Sequence, residues 1–229
     1  MASNYALKYN VDIVFCVDAT GSMRPVIDQV KQGILNFHGD LANAMEAKGK
    51  HIDGLRIRVV AFRDYLYDNE EAMLVTDFFN LPAQAADLTR CIQSITPKGG
   101  GDEPEDSLEA LAYAIRSDWL KTESMMKRQV IVLWTDATPH ELGFAKSSPL
   151  YPSGMPKSLE ELSSWWGSDN MVGYMDDRAK RLLLFAPEDT VWDQISRSWN
   201  NTIYFPSIAG EGLREYEYKQ IIDVISNSI

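Results

Sequence analysis

The feature that most constrains this chain is an apolar run near its N-terminus that ends abruptly in oxygen-bearing side chains. Residues 12–17 read Asp-Ile-Val-Phe-Cys-Val, and Asp18, Thr20 and Ser22 follow at alternate positions. An apolar run of strand length is typical of a central parallel strand, because helices cover both faces of such a strand. Carboxylate and hydroxyl oxygens at the carboxyl end of a strand are ligands for a hard cation such as Mg²⁺. The segment therefore predicts a buried strand followed by a metal-binding loop.

A second apolar run also stops at an aspartate. Residues 129–135 read Gln-Val-Ile-Val-Leu-Trp-Thr, and Asp136 follows. In an open parallel sheet, ligands bind outside the carboxyl ends of the strands, at the point where the strand order reverses. We therefore expect Asp18 and Asp136 to face one crevice. The alternative for Asp136 is a turn-forming aspartate with no further role.

Strand and helix patterns alternate along the chain. This alternation predicts an α/β fold, a Rossmann-like three-layer sandwich with a mainly parallel sheet and helices on both faces. One short antiparallel edge strand is expected at residues 75–79, and a helix is expected to begin at Pro104 and to bury one face through Trp119. We interpret residues 1–229 as a single domain with an enlarged loop at about 141–180.

Composition excludes several classes of partner. The 229 residues carry a formal net charge of -11 and no clustered Lys/Arg stripe, so binding to nucleic acid is not expected. No apolar segment approaches the roughly 20 residues of a membrane-spanning helix, and the N-terminus is too polar for a signal sequence. Cys16 and Cys91 fit small buried residues better than a disulfide. We therefore expect a cytoplasmic protein without membrane insertion.

The polar residues after the two strands resemble a known motif. Asp18-Ala-Thr-Gly-Ser resembles the Asp-x-Ser/Thr-x-Ser motif of the von Willebrand factor type A (vWA) domain, which forms its metal-ion-dependent adhesion site (MIDAS). Thr135-Asp136 is similar to the second conserved aspartate of that family. Between them the family usually has Gly-Gly-Thr. Here Gly100-Gly101-Asp102 stands in its place, as in a subset of the family with the pattern Gly-Gly-Gly-Asp-x-Pro-Glu.

The resemblance implies a vWA-like domain that binds one divalent cation, Mg²⁺ or Mn²⁺, with Ca²⁺ also compatible with these donors. A partner protein would supply an Asp or Glu side chain as the last ligand. The helix expected to begin after Ser22 would direct its partial positive end toward that acid. The resemblance thus implies a protein–protein interaction module and no enzymatic activity. The metal ligands it implies are Asp18, Thr20, Ser22, Asp102 and Asp136.

Two questions stay open from sequence. Asp102 either binds the metal, where its charge would tighten metal binding and weaken the attraction of a partner's acid, or caps the helix at Pro104. As for function, a Mg²⁺-dependent aspartyl-phosphate phosphohydrolase of the haloacid dehalogenase type also opens with a strand ending in aspartate. Its chemistry normally needs a second acid where this chain has Thr20. A scaffold with a purely structural metal is the third possibility.

Three other groups near the expected crevice have simpler interpretations. Asp64 follows the strand predicted at residues 56–62 and is expected to pair with Arg63 or with the backbone. His140 is not expected to bind metal, because no second histidine stands at ligand spacing. Trp165 and Trp166 are expected in the core, with a role as anchors for a partner as the alternative.

Overall fold

The computed structural model describes residues 7–101, 103–121, 126–167, 172–207, 222–223 and 226–227. These residues form a mixed α/β fold built on a seven-stranded, mostly parallel sheet, as predicted. The strands are β1 (Leu7–Asp18), β2 (Lys50–Phe62), β3 (Met73–Val75), β4 (Phe79–Leu81), β5 (Lys127–Trp134), β6 (Lys180–Pro187) and β7 (Thr202–Ser207). The helices are α1 (Ile27–Ala47), α2 (Ala85–Ser94), α3 (Ser107–Ile115), α4 (Leu159–Trp166) and α5 (Thr190–Ser198).

The strand order in the sheet is β3-β2-β1-β5-β6-β7, and β4 also pairs with β2. β1 pairs in parallel with both β2 and β5, while β3 and β4 run antiparallel to β2. The edge strand predicted at residues 75–79 is thus two short strands. Residues 76–78 separate them, and at the first of these the side-chain oxygen of Thr76 accepts the Val59 N–H at 3.0 Å. A hydroxyl thereby replaces a backbone carbonyl at the point where the edge pairing is interrupted.

Alternating residues of β1 divide the core into two layers. Val11, Ile13, Phe15 and Val17 pack in one apolar cluster with buried residues of α1 and α2. Val14 and Cys16 point to the other face and pack with buried residues of α3, α4 and α5. This alternation is the period of a strand. The sheet is therefore covered on both faces, and each of these side chains removes its apolar surface from water.

Two helices begin later than expected. Residues Gly21–Met23 form a 3₁₀ turn, and α1 starts at Ile27, so the predicted helix start directly after Ser22 is wrong. Pro25 lies between the two elements. Because proline has no N–H, it cannot donate a backbone hydrogen bond that would join the 3₁₀ turn to α1. α3 starts at Ser107, and its N-cap position is Asp106. Pro104 does not begin this helix: Glu105 instead forms a parallel bridge with Pro139, through its N–H to the Thr138 carbonyl and its carbonyl to the backbone N–H of His140.

These boundaries bear on the role of Asp102. The N-cap position of α3 is Asp106, four residues further along the chain. Asp102 itself lies outside the described residues. The predicted burial of Trp119 is confirmed, although this side chain follows the end of α3.

The long connection between β5 and β6 carries α4, whose N-cap Ser158 accepts the Glu161 N–H at 3.2 Å. Trp166 at the end of α4 is fully buried, and Trp165 packs partly buried against the same core cluster. The buried Lys180 ammonium donates to the carbonyls of Trp166 and Gly167 at 2.9 and 3.1 Å. These bonds fasten the connection to the start of β6. Within the described part of the chain, none of the helices has the length and apolarity to cross a bilayer.

Candidate metal centre

The candidate site lies where the order of the strands reverses. The chain leaves β1 toward β2 on one side, whereas β5, β6 and β7 extend from the other side of β1. Val17 of β1 is in register with Trp134 of β5. Since the two strands are parallel, Asp18 and Thr135 leave the sheet side by side. This juxtaposition is the reason that residues more than 110 positions apart share one crevice.

A continuous chain of hydrogen bonds joins the four side chains that the motif singled out. Thr20 donates to Oδ1 of Asp18 through its backbone N–H at 2.9 Å and its hydroxyl at 2.6 Å. Ser22 Oγ donates to Oδ1 of Asp136 at 2.9 Å. Thr135, the residue before Asp136, donates from Oγ1 to Oδ2 of Asp18 at 2.7 Å. The structure therefore brings Asp18, Thr20, Ser22 and Asp136 together.

The two hydroxyls of this chain have fewer protons than hydrogen-bond contacts. Thr20 Oγ1 and Ser22 Oγ are 3.0 Å apart, and either oxygen can be the donor. Each hydroxyl also contacts a carboxylate, which can only accept when it is ionised. Three contacts therefore share two hydroxyl protons, and lone pairs on both oxygens remain available to a cation.

Burial raises the pKa of both carboxylates of the site. Asp18 is fully buried, and burial, followed by the nearby Asp136 carboxylate, raises the pKa of Asp18 to about 6. Burial also raises the pKa of Asp136, against the hydrogen bond from Ser22. Among the described residues, neither aspartate forms a salt bridge with Lys, Arg or His. A bound cation would relieve both effects by stabilising the ionised forms.

The glycine loop, residues 99–101, lies against the loop that carries Thr20 and Gly21. Gly99 accepts the Gly21 N–H through its carbonyl at 3.1 Å. Gly100 has a φ of +72°, which glycine adopts without strain. A Cβ added to Gly100 would lie 2.5 Å from Oε1 of Glu105 and 3.0 Å from Cβ of Thr20. Only glycine therefore lets the backbone approach the threonine so closely.

Arg63 fastens this loop to the end of β1, a role that the sequence did not reveal. Its Nε donates to the carbonyls of Ala19 at 3.0 Å and Lys98 at 2.9 Å. Its other nitrogens donate to the carbonyls of Glu71 and Thr96. The side chain is 6% exposed. Because Ala19 lies between Asp18 and Thr20, Arg63 fixes the loop after β1 relative to the segment that leads into the glycine loop.

Behind the glycine loop lies a buried acidic group centred on Glu105. This side chain is 3% exposed, and its Oε2 has no hydrogen-bond partner within the described residues. Burial, followed by the charges of Asp18, Asp64, Asp68 and Asp106, raises the pKa of Glu105 to about 9. The Glu105 carboxyl is therefore protonated at neutral pH in the metal-free protein. Nothing in the sequence around Glu105 indicated that its carboxyl would be buried and protonated.

Asp64 has a partner other than the predicted Arg63. Its Oδ2 lies 2.9 Å from Nε2 of His140, and its Oδ1 accepts the Leu66 N–H. The expected backbone contact is thus present, and the side-chain partner is the histidine. This pair joins the loop after β2 to the loop after β5.

The donor chemistry fits a hard cation that is bound by hydroxyls as well as carboxylates. No cluster of three or more His, Cys, Asp or Glu in the described ranges is arranged to hold a metal. Asp18 and Asp136 alone are two carboxylates, so a cation at this site would need further oxygens such as the Thr20 and Ser22 hydroxyls. Hard cations such as Mg²⁺ take few carboxylates and keep several waters.

Known proteins resemble the chain mainly in fold. The pilus adhesin SpaC from Lactobacillus rhamnosus GG superposes with a TM-score of 0.56 at 12% identity, over 95% of this chain and 31% of the adhesin. A von Willebrand factor type A structure from Catenulispora acidiphila superposes with a TM-score of 0.53 at 16% identity, over 96% of this chain and 43% of that one.

Similarity in sequence covers a smaller part of the chain than similarity in fold. The alpha-protein kinase vwkA of Dictyostelium discoideum is 25% identical over 150 residues, which are 66% of this chain. The match spans 22% of the length of that protein, and no protein-family model matches the chain. The sheet order, the helices on both faces and the structural neighbours together show that this chain has a von Willebrand factor type A-like fold.

Proposed function

We propose that this protein is a metal-dependent protein–protein interaction module. The cation is Mg²⁺, with Mn²⁺ or Ca²⁺ as substitutes, and Asp18, Thr20, Ser22 and Asp136 hold it. Asp102 takes the place of the family threonine as a further ligand. When bound, the cation supplies a coordination position for an Asp or Glu side chain of a partner protein.

The observation that carries this proposal is the 3.0 Å approach of Thr20 Oγ1 to Ser22 Oγ, where the two hydroxyls have two protons for three contacts. Lone pairs directed into a crevice that also holds two carboxylates favour a cation. The vWA-like fold and the adhesin among its structural neighbours fit an interaction module.

Each residue has a distinct task in this proposal. The two carboxylates neutralise the dication, while the hydroxyls donate to them and coordinate through their lone pairs. Thr135 orients Asp18 by its 2.7 Å hydrogen bond. Ser22 is exposed, unlike the other three side chains. Its position puts the accessible side of the site next to the solvent, where a partner's acid can approach.

Water proton relaxation with Mn²⁺ tests this proposal. Manganese should bind the protein and enhance the relaxation rate of water, and added N-acetyl-aspartate should lower the enhancement by displacing a metal-bound water. Asp18→Asn should abolish both effects, whereas the control Asp53→Asn, at an exposed aspartate, should leave them unchanged.

Two outcomes would contradict the proposal. Sustained hydrolysis of 4-nitrophenyl phosphate with Mg²⁺, lost in Asp18→Asn, would favour the phosphohydrolase. Metal binding that raises thermal stability, without any displacement of water by the carboxylate, would favour the structural scaffold.

A further inference from the structure

A group of basic side chains lies at the end of the sheet opposite the candidate metal centre. β1, β2, β5 and β6 are parallel, and all four begin at this end. Tyr9 lies near the start of β1 and Asp18 at its end, so about 30 Å of extended strand separates them. The basic side chains near Tyr9 are therefore far from the candidate metal ligands. We call them the basic cluster, and its members are Lys48, Lys50, Arg128 and Arg181.

The cluster lies on the face of the sheet that α1 covers. Tyr9 packs in the same apolar cluster as the buried residues of α1. Arg128 is the register partner of Val11, and Arg181 is the register partner of Val130. Both valines belong to that apolar cluster, so the two arginine side chains point to the same face. Because separate strands bring these residues together, the sequence shows no run of basic residues.

The ring of Tyr9 attracts two members of the cluster. Nζ of Lys50 lies 5.7 Å from the centroid of this ring, and Cζ of Arg128 lies 5.3 Å from it. The face of an aromatic ring carries partial negative charge and attracts cations. The tyrosine itself is 5% exposed. A neutral, buried ring therefore gathers two positive charges at the surface.

The other two members also have neutral contacts. The Lys48 ammonium donates to Oγ of Ser226 at 2.8 Å and to Oδ1 of Asn227 at 2.6 Å. The Arg181 guanidinium donates to the backbone carbonyl of the preceding residue at 2.6 Å. Within the ranges that the structure describes, no member of the basic cluster forms a salt bridge with a carboxylate. The four positive charges are therefore not neutralised by these contacts.

Three other lysines at this end of the sheet each have a carboxylate partner. The pairs are Lys8–Asp53, Lys127–Asp176 and Lys180–Asp177, with distances of 3.4, 2.8 and 2.6 Å. The whole chain has 33 Asp and Glu against 22 Lys and Arg, so carboxylates are in excess. The lack of carboxylate partners in the basic cluster is therefore a local feature and does not follow from composition.

The charges of the cluster act on one another. Burial, followed by the charges of Lys48 and Arg128, lowers the pKa of Lys50. Burial, followed by the charge of Arg128, lowers the pKa of Arg181. Arg128 donates one N–H to the carbonyl of Lys127 at 2.8 Å, but its Nε is buried and has no hydrogen-bond partner among the described residues. An anion bound here would reduce the repulsion and could accept from the unused donor.

We propose that the basic cluster binds a compact anion whose negative charges are carried by phosphate groups. The planar guanidinium of Arg128 matches the oxygens of a phosphate, and a single carboxylate would offset only one of the four positive charges. The net charge of -11 repels long polyanions such as nucleic acid or an anionic membrane, so the anion is small. This site does not depend on the proposed metal centre, which lies at the other end of the sheet.

Calorimetric titration of pyrophosphate, at low ionic strength and without divalent cations, tests the proposal. The wild type should bind one pyrophosphate per chain, and Lys50→Gln and Arg128→Gln should each bind it about five- to tenfold more weakly. Arg197→Gln is the matched control, because Arg197 is exposed, pairs with Asp193 at 3.0 Å, and lies on α5, on the other face of the sheet. Both this variant and Asp18→Asn should change the affinity less than twofold.

Two further probes identify the source of the phosphate. A phosphoserine hexapeptide that binds more tightly than glycerol 3-phosphate would support a phosphorylated side chain of another protein, and the reverse order would support a small phosphate ester.

Three results would overturn the proposal: no binding of pyrophosphate by the wild type, equal affinity in the wild type and Lys50→Gln, or equally tight binding of the dicarboxylate malonate. If Arg128→Gln fails to unfold cooperatively, Lys50→Gln decides alone, since the Lys50 ammonium makes no hydrogen bond to the described residues.

Discussion

The hydroxyl oxygens of Thr20 and Ser22 lie 3.0 Å apart, and either can donate to the other. Thr20 also contacts Asp18 at the end of β1, and Ser22 contacts Asp136 after β5. The two hydroxyls thus have two protons for three contacts, and a cation beside them would relieve the repulsion at the contact that lacks a proton. This relationship connects the fold, which delivers the two aspartates to one crevice, with the proposed metal dependence.

Glu105 contributes to the pH dependence of stability in the metal-free protein. Its pKa is about 9 in the folded chain and about 4.3 in an unfolded one. The folded state therefore binds more protons between these values, and stability falls as the pH rises through this range. In chelator, the loss from pH 5 to pH 8 should be smaller in Glu105→Gln than in the wild type, by on the order of 3 kcal/mol. Urea unfolding at both pH values measures it, and an equal loss in both proteins would refute the protonated Glu105.

Asp102 should behave as a metal ligand. Replacing it with the threonine usual in vWA domains removes one negative charge, so Mg²⁺ affinity should fall by about tenfold or more, which corresponds to ~1.4 kcal/mol. Asp87→Asn, at a half-exposed aspartate of α2, serves as the control for a lost charge. Calorimetric titration measures both affinities, and unchanged binding in Asp102→Thr would count against any ligand role.

Arg63 should position the site through its carbonyl contacts. Arg63→Lys cannot reach four carbonyls, because lysine offers a single nitrogen in place of the planar guanidinium. We expect a loss of about 2 to 4 kcal/mol in unfolding free energy and weaker Mg²⁺ binding. Arg24→Lys is the control. Arg24 also donates to the same connection, at the Pro97 carbonyl, but it is exposed, so its loss should be under about 0.5 kcal/mol. Similar losses in the two variants would show that Arg63 has no special role.

Gly100 tests the close approach of the loop to Thr20. Gly100→Ala and Gly49→Ala both place a Cβ at positive φ, +72° and +68°, but no heavy atom lies within 4 Å at Gly49. Both variants should lose about 1 to 2 kcal/mol from backbone strain. Only Gly100→Ala should also weaken Mg²⁺ binding, since its methyl group displaces Glu105 or Thr20. Chemical unfolding and metal titration separate the two effects, and equal metal affinity in both would contradict the close packing.

The sequence predicted those parts of the site that follow from the ends of strands. Asp18 and Asp136 each close an apolar run, and parallel strands bring their carboxyl ends to one edge, so their convergence was foreseeable. The fold class followed in the same way from alternating strand and helix patterns. The start of α3 was not foreseeable, because the backbone bond of Glu105 to Thr138 depends on how two distant loops pack.

The contacts that the sequence did not reveal are tertiary contacts between loops. Arg63 appeared as the natural partner of Asp64, yet its guanidinium is used by four backbone carbonyls, and His140 pairs with Asp64 instead. Every residue has a backbone carbonyl, so the amino-acid sequence does not show which carbonyls accept hydrogen bonds from Arg63. The edge strand predicted at residues 75–79 is likewise interrupted at residues 76–78, where the Thr76 hydroxyl takes the place of a backbone acceptor.

Calorimetric titration of Mg²⁺ into the wild type, Asp18→Asn and the control Asp53→Asn tests the central claim most directly. The wild type and Asp53→Asn should bind one Mg²⁺ per chain with affinities within about twofold of each other. Asp18→Asn should bind about a hundredfold more weakly, a difference of ~3 kcal/mol. Equal affinity in Asp18→Asn, or no binding by the wild type, would contradict a cation held by Asp18, Thr20, Ser22 and Asp136.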